Sequence, residues 1–161
     1  MPKIPKRSDV AQIYRKVLVG FEKYLIFPIK NPNFYQIFSL IVSTLFLFVV
    51  GTELRALLVL SVLVADWLDG AVARRYKLAN RQGWLIDVVV DRVSEGFIFA
   101  AVLFTGVGKA FFALYLVNIV LSMYSIKSQK HLILPLRFFY LIFLVYILVT
   151  KYFLEGIICL V

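Results

Sequence analysis

The sequence predicts an all-α integral membrane protein: a bundle of five to six transmembrane helices preceded by an interfacial amphipathic helix. Hydrophobic residues make up 62% of the 161 positions and the mean hydropathy is +0.90, whereas a soluble domain is about half apolar. Long apolar runs alternate with short polar segments, in which the basic residues concentrate. The positive-inside rule explains the net charge of +9, so we expect no nucleic-acid partner. The length predicts one domain over residues 1–161.

Residues 1–30 are predicted to form a juxtamembrane arm, and residues 31–161 the transmembrane bundle. Apolar residues of the arm recur at helical spacing between basic residues such as Arg15 and Lys16. This pattern is typical of a helix that lies in the membrane interface, where its basic face favours anionic lipid headgroups. A solvated arm is the alternative. The Asn31-Pro32-Asn33 sequence is expected to end this helix.

Five apolar runs approach or reach the length needed to cross a hydrocarbon core of roughly 30 Å. The predicted spans are 34–50, 53–75, 83–105, 109–126 and 132–149. Turns are expected at Gly51-Thr52 and at Gly106-Val107-Gly108, and basic loops at 76–82 and 127–131. The tail 150–161 is too short for a sixth span, so either a last helix is truncated or the fifth continues and tilts.

The basic segments give the expected orientation. The arm and both basic loops fall on one side and hold most of the lysine and arginine residues, whereas the other side has Arg55, Lys109 and Lys151. The positive side should be cytoplasmic. We therefore expect a protein of the cell membrane whose functional site faces the cytoplasm.

Four aspartates lie in the two runs that flank the 76–82 loop. Asp66 and Asp69 are three residues apart near the end of the second span, and Asp87 and Asp91 are four apart near the start of the third. On helices, each spacing places its pair on one face. Two antiparallel helices joined by a short loop would bring the pairs face to face.

These carboxylates need a common explanation, because each costs about 2.5–3.5 kcal/mol near a bilayer centre. Divalent metal provides one: two Mg²⁺ or Mn²⁺ ions would balance four negative charges, and hard cations prefer carboxylate oxygens. The alternative is hydrogen bonding to polar neighbours in the bundle, for which the sequence offers few partner residues.

The aspartates belong to a pattern, D-x-x-D-G-x-x-A-R-x8-G-x-x-x-D-x-x-x-D, that resembles the signature of the CDP-alcohol phosphotransferase (CDP-alcohol phosphatidyltransferase) family. Its fixed positions are all matched, by Asp66, Asp69, Gly70, Ala73, Arg74, Gly83, Asp87 and Asp91. The resemblance implies a membrane enzyme of phospholipid biosynthesis. Such an enzyme transfers a phosphatidyl-type group from a CDP-linked lipid to a small polar or phosphorylated alcohol and releases CMP. It also implies a homodimer and typically six spans.

The resemblance assigns roles to individual residues. It implies that the metal ligands are Asp66, Asp69, Asp87 and Asp91, and that Asp91 is also the general base for the acceptor alcohol. The implied nucleotide-binding positions are Asp66, Asp69, Gly70, Ala73, Arg74 and Gly83. Arg74 suits phosphate contacts because its charge is permanent and its donors form a fork; a positive-inside anchor is the alternative.

Further candidates lie outside the pattern. Asn33 follows a proline at the start of the first span, where related proteins often carry Pro-Asn-x-x-Thr, and is a candidate cytidine contact; Gln36 stands in the threonine position. Glu95 would either orient a ligand or pair with Arg92. Basic residues gather at the cytoplasmic edge of the fourth and fifth spans and are candidates for an acceptor phosphate, with interfacial anchoring as the alternative: Lys127, Lys130, His131 and Arg137.

The predicted function is thus metal-dependent transfer from a CDP-alcohol, such as CDP-diacylglycerol or its archaeal ether-lipid analogue. Inositol phosphate and glycerol phosphate are candidate acceptors. Two other classes are weighed against this one: a divalent-cation transporter that uses the aspartates as a pathway, and a non-catalytic membrane scaffold. The clustering of the carboxylates near one interface and the intact pattern disfavour both.

Overall fold

The computed structural model describes residues 29–128 and 133–158, with the side chains of residues 156–158 excepted. Over these ranges the chain forms five α-helices and a short 3₁₀ turn. They are α1 (Pro32–Leu45), the 3₁₀ turn (Phe46–Phe48), α2 (Thr52–Arg75), α3 (Arg81–Ala101), α4 (Gly106–Ser128) and α5 (Leu136–Ile158). The predicted all-α class is confirmed. The predicted arm lies outside the described residues except for positions 29 and 30.

Three of the described helices begin where a side chain binds a free N–H group. The Asn31 side chain accepts from the Asn33 N–H, with Pro32 in the first turn of α1. In the same way the Asn80 side chain caps α3. Thr105 Oγ1 accepts from the Gly108 N–H at 3.0 Å, so α4 begins at Gly106. The turn predicted at residues 106–108 is therefore wrong, because a threonine cap places those residues inside the helix.

Among the described residues, three helices are long and apolar enough to cross a membrane: Thr52–Arg75, Gly106–Ser128 and Leu136–Glu155, the last being most of α5. The apolar stretch Pro32–Phe48 is shorter. The predicted third span corresponds to α3, which carries the charged residues of the pattern in addition to apolar ones. The last helix runs unbroken from Leu136 to Ile158, so the continuation of the fifth predicted helix is confirmed over the described residues.

Helix packing gives the site its shape. Helix α1 packs against both α2 and α3, α2 packs against α5, and α3 packs against α4. Over their described lengths α2 and α3 have no extensive direct contact. Helix α1 contacts both of them and links them. Ser43 Oγ of α1 and Ser94 Oγ of α3 lie 2.5 Å apart, which is a polar contact between these two helices.

An aromatic cluster closes the other end of the bundle. Phe99 of α3 stacks on Phe111 of α4, and both rings contact Tyr140 of α5 edge-on. Phe46 of the 3₁₀ turn contacts the same tyrosine. Such ring pairs stabilise beyond the area that they bury. The cluster fixes α5 against α3 and α4, which determines where the start of α5 meets the aspartates.

Candidate active site

The first pair of carboxylates lies on α2 and is contacted from α1. Ser39 Oγ donates to Asp66 Oδ1 at 3.1 Å, and Gln36 interacts with the Asp69 carboxylate. Both α1 side chains are buried, as is Asp69. The two polar residues follow each other by three positions on one face of α1. Helix α1 is largely apolar, and these two side chains form a polar edge that faces the aspartates.

The second pair lies on α3 and meets the first pair across the gap between the helices. The Asp66 carboxylate interacts electrostatically with Asp87 and Asp91, and the Asp69 carboxylate interacts with the same two residues. The structure thus brings all four predicted aspartates into one cluster although their helices are separated. Four like charges in this position repel one another and require compensation.

Arg137, in the first turn of α5, supplies positive charge to this cluster. Its Nη1 lies 2.5 Å from Asp66 Oδ2 and its Nη2 lies 2.6 Å from Asp91 Oδ1. The residue is only 6% exposed. The interpretation of Arg137 as an interfacial edge residue is therefore wrong: its guanidinium bridges α2 and α3 inside the bundle. The fork of the guanidinium suits such a bridge between two carboxylates.

The carboxylates also fit divalent cations chemically. Among the described residues no three acidic, histidine or cysteine side chains already form a metal-binding group. However, Oδ2 of the buried Asp69 has no hydrogen-bond partner in the described part of the chain. A buried acceptor of this kind is costly unless a donor or a cation satisfies it. Asp69 and the adjacent carboxylates provide only oxygen atoms, the ligands that Mg²⁺ and Mn²⁺ prefer.

Arg74 lies one turn beyond the first aspartate pair and folds back over the helix. A Cβ atom built on Gly70 would lie 3.0 Å from Arg74 Nη1. The glycine therefore leaves room for the guanidinium to lie against the backbone on the aspartate side of α2. Ala73, the other small residue of the pattern here, is partly exposed. The Arg74 guanidinium therefore lies close to Gly70, the residue that follows Asp69.

The remaining nucleotide-binding candidates lie at helix starts. The Gly83 N–H donates to Asn80 Oδ1 at 2.6 Å, and a Cβ on this glycine would lie 3.2 Å from the same oxygen. Gly83 therefore has a structural use at the start of α3. Asn33 is exposed in the first turn of α1, where its side chain is accessible to a ligand.

Glu95 lies one turn beyond Asp91 and belongs to a buried polar network. Its Oε2 is 2.7 Å from Arg92 Nη1, so the predicted local pair is formed. Asn118 of α4 donates to the same oxygen at 3.2 Å, and Glu95 Oε1 lies 3.8 Å from Arg137 Nε. The glutamate is 1% exposed. It therefore lies behind the Arg137 guanidinium, and its role in orienting a ligand remains a prediction.

Two of the four basic acceptor-site candidates lie within the described residues. Lys127 is exposed in the last turn of α4, whereas Arg137 is buried among the carboxylates. Lys130 and His131 lie outside the described residues. A combined phosphate site of all four residues therefore remains a prediction.

Sequence reasoning missed Ser39 and Asn118, and it gave Gln36 and Arg137 other roles. Ser39, Gln36 and Arg137 are the partners of the aspartates that the sequence seemed to lack, and Asn118 belongs to the network behind them. Their common signal is polarity inside apolar helices, because polar groups at membrane depth are costly and mark functional positions. Polar residues in the predicted first and fourth spans were therefore detectable.

Comparison with known proteins gives a family match and a partial match to a relative. The family model for CDP-alcohol phosphatidyltransferases matches residues 30–161. An uncharacterized protein of Aquifex aeolicus (strain VF5) is 36% identical over 84 residues, which cover 50% of this chain and 41% of that protein. The chain thus matches less than half of the length of this relative. No solved structure matches the chain. Because the family model covers most of the sequence and every element that forms the site, the chain belongs to the CDP-alcohol phosphatidyltransferase family.

Proposed function

We propose that this protein is an integral membrane enzyme that transfers a phosphatidyl-type group from a CDP-linked lipid to an alcohol and releases CMP. The observation that supports this proposal most strongly is the cluster of Asp66, Asp69, Asp87 and Asp91, drawn from two separate helices. Family membership supports the reaction type. The donor in the proposal is CDP-diacylglycerol or its ether-lipid analogue.

The four aspartates are assigned as ligands of two Mg²⁺ or Mn²⁺ ions. The all-oxygen donor set and the unsatisfied Oδ2 of Asp69 support this assignment. When bound, such cations neutralise phosphate oxygens and stabilise the leaving oxygen. Arg137 pairs with two of the proposed ligands, Asp66 and Asp91. In our proposal the arginine balances their charge when no metal is bound.

Arg74, Gly70 and Ala73 are assigned to the nucleotide diphosphate of the donor. The guanidinium beside Gly70 presents a permanent, forked charge to phosphate oxygens. The small side chains leave room for the ligand to approach the backbone. Gly83 is also assigned to the nucleotide, and the exposed Asn33 is assigned to the cytidine base.

Asp91 is assigned as the general base. It would accept the proton of the acceptor hydroxyl while the acceptor oxygen attacks the β-phosphorus of the donor. The bond from that phosphorus to the CMP oxygen breaks, and CMP leaves. The contact of Asp91 Oδ1 with Arg137 Nη2 at 2.6 Å fixes the orientation of the carboxylate. Positioning of this kind is expected to provide much of the rate, because a carboxylate is a weak base for an alcohol.

Arg137 is also assigned to the phosphate of the acceptor, for which inositol phosphate and glycerol phosphate are the candidates. Its guanidinium has donors in excess of those that contact Asp66 and Asp91. Lys127 and Lys130 would attract the anionic acceptor to the cytoplasmic side, where the basic segments place the site. We further propose a homodimer in the cell membrane, with the exposed aromatic residues of α5, such as Phe138 and Phe139, as a candidate interface.

The test is release of CMP by the purified protein from CDP-diacylglycerol or the ether-lipid donor, with a panel of acceptors and with Mg²⁺ or Mn²⁺. We expect acceptor-dependent CMP release that is abolished by excess chelator and by Asp69→Asn. Full activity in chelator would contradict the metal assignment. The rivals give other results: a transporter moves divalent cations into proteoliposomes without CMP release, and a scaffold does neither.

A further inference from the structure

Asn118 is a fully buried polar residue in the middle of α4, outside the family pattern. Its side chain binds the backbone of Leu134, just before α5. The Leu134 N–H donates to Asn118 Oδ1 at 2.9 Å, and Asn118 Nδ2 donates to the Leu134 carbonyl at 3.0 Å. The amide thus satisfies both backbone groups of one residue. The Leu134 carbonyl also accepts from the Leu136 N–H at 2.9 Å, and Leu134 is 36% exposed, so the asparagine holds a partly buried segment of the chain.

This pair of bonds determines where α5 begins. Pro135 follows Leu134, and its carbonyl accepts from the N–H groups of Phe138 and Phe139. The proline ring fixes its own φ and suits the position before a helix. Little conformational freedom therefore remains between Leu134 and Arg137, two residues after the proline. Because Asn118 binds the backbone of Leu134, it determines the position of Arg137 along the axis of α4.

Asn118 also acts on the other side of the arginine. Its Nδ2 donates to Glu95 Oε2 at 3.2 Å, and Glu95 Oε1 lies 3.8 Å from Arg137 Nε. The asparagine therefore contacts both the backbone that precedes Arg137 and the carboxylate behind its guanidinium. The front of the guanidinium contacts Asp66 and Asp91.

We propose that Asn118 is a positioning residue that holds Arg137 in the site and thereby determines affinity for the acceptor phosphate. This inference rests on the proposed function, in which Arg137 binds that phosphate. Asn118 lies on α4, whereas the groups assigned to the CDP donor lie on α1, α2 and the start of α3. Loss of the asparagine should therefore weaken binding of the acceptor and leave binding of the CDP donor largely unchanged.

The experiment measures the KM of the acceptor and of the CDP donor by CMP release, for wild type, Asn118→Ala and the control Ser122→Ala. Ser122 is buried one turn away on α4, and its hydroxyl donates to the Asn118 carbonyl within the same helix. For Asn118→Ala we expect the acceptor KM to rise roughly 10- to 100-fold, as when groups that orient ligands are removed. The donor KM should stay within about twofold, and the control should match wild type on both.

A second comparison tests whether Asn118 acts through Arg137. Arg137→Lys keeps the charge but loses the fork, and in this background Asn118→Ala should raise the acceptor KM far less than in wild type, since coupled residues are not additive. Should Asn118→Ala fail to fold, Asn118→Asp carries the same test: it keeps the volume and the acceptor for the Leu134 N–H but loses the amide donors. Its acceptor-selective defect is expected too.

Equal increases in donor and acceptor KM, or fully multiplicative effects with Arg137→Lys, would overturn the inference in favour of general packing. If the wild type is active and Asn118→Ala leaves the acceptor KM unchanged, the inference is overturned and the proposed function stands. Absence of CMP release by wild type would overturn the proposed function with it.

Discussion

Removal of the Arg137 charge tests the electrostatics of the site without assuming any activity. Arg137→Met keeps an unbranched apolar stem but leaves Asp66 and Asp91 without their shared cation. Their side chains are 20% and 21% exposed, so both carboxylates are largely removed from water. Breaking a buried ion pair by removing one partner costs about 3–5 kcal/mol. The hydrogen bond from Ser39 to Asp66 and the partial exposure favour the lower end of this range.

A loss of about 3 kcal/mol corresponds to a fall in Tm of roughly 6–12 °C for a chain of this size. The assay is thermal unfolding of the purified protein in detergent with excess chelator, followed by intrinsic tryptophan fluorescence. Lys109→Met is the matched control, because Lys109 is exposed in the first turn of α4. We expect the control to match wild type, and added Mn²⁺ to restore much of the stability of Arg137→Met by replacing the lost charge. A variant that unfolds within about 2 °C of wild type in chelator would refute the reasoning.

Two predictions concern catalysis and donor binding. Asp91→Asn should lower turnover about 10²- to 10⁴-fold, the usual cost of losing a general base, while donor affinity changes little; near-normal turnover measured beside donor affinity would exclude Asp91 as the base. Gly70→Ala should weaken donor binding, because its Cβ would lie 3.0 Å from Arg74 Nη1, whereas Gly106→Ala, which meets nothing within 4 Å, serves as control. Equal donor affinities for the two alanine variants would contradict the assigned contact of Arg74.

The predictable part of this structure is the part determined by local sequence. The end of α2 and the membership of the aspartates in one site followed from charged residues at helical spacing in apolar runs. The predicted start of α4, at Lys109, is three residues too late because Gly106 and Gly108 indicate a turn. The hydroxyl of Thr105 instead caps a helix that begins at Gly106. Cap residues are the stronger signal when they directly precede an apolar run.

The least predictable feature is the position of Arg137. A single arginine at the start of an apolar run is typical of an interfacial anchor. Its partners Asp91 and Asp66 lie 46 or more residues earlier in the sequence. They belong to α3 and α2, and no local sequence pattern links these helices to α5. The lack of extensive direct packing between α2 and α3 also results from tertiary contacts. One of these contacts joins Ser43 of α1 to Ser94 of α3. Spacing alone carries no information on such contacts.

The pairing of Arg137 with carboxylates of α2 and α3 also bears on how the chain is inserted during synthesis. The aspartates leave the ribosome well before the arginine that neutralises them. Helix α3, with its charged residues, is not among the three described helices that are long and apolar enough to cross a membrane. Its stable residence in the bilayer is therefore expected to depend on the late arrival of α5. Nascent chains truncated before Arg137 should leave α3 more accessible to water than chains that extend through α5.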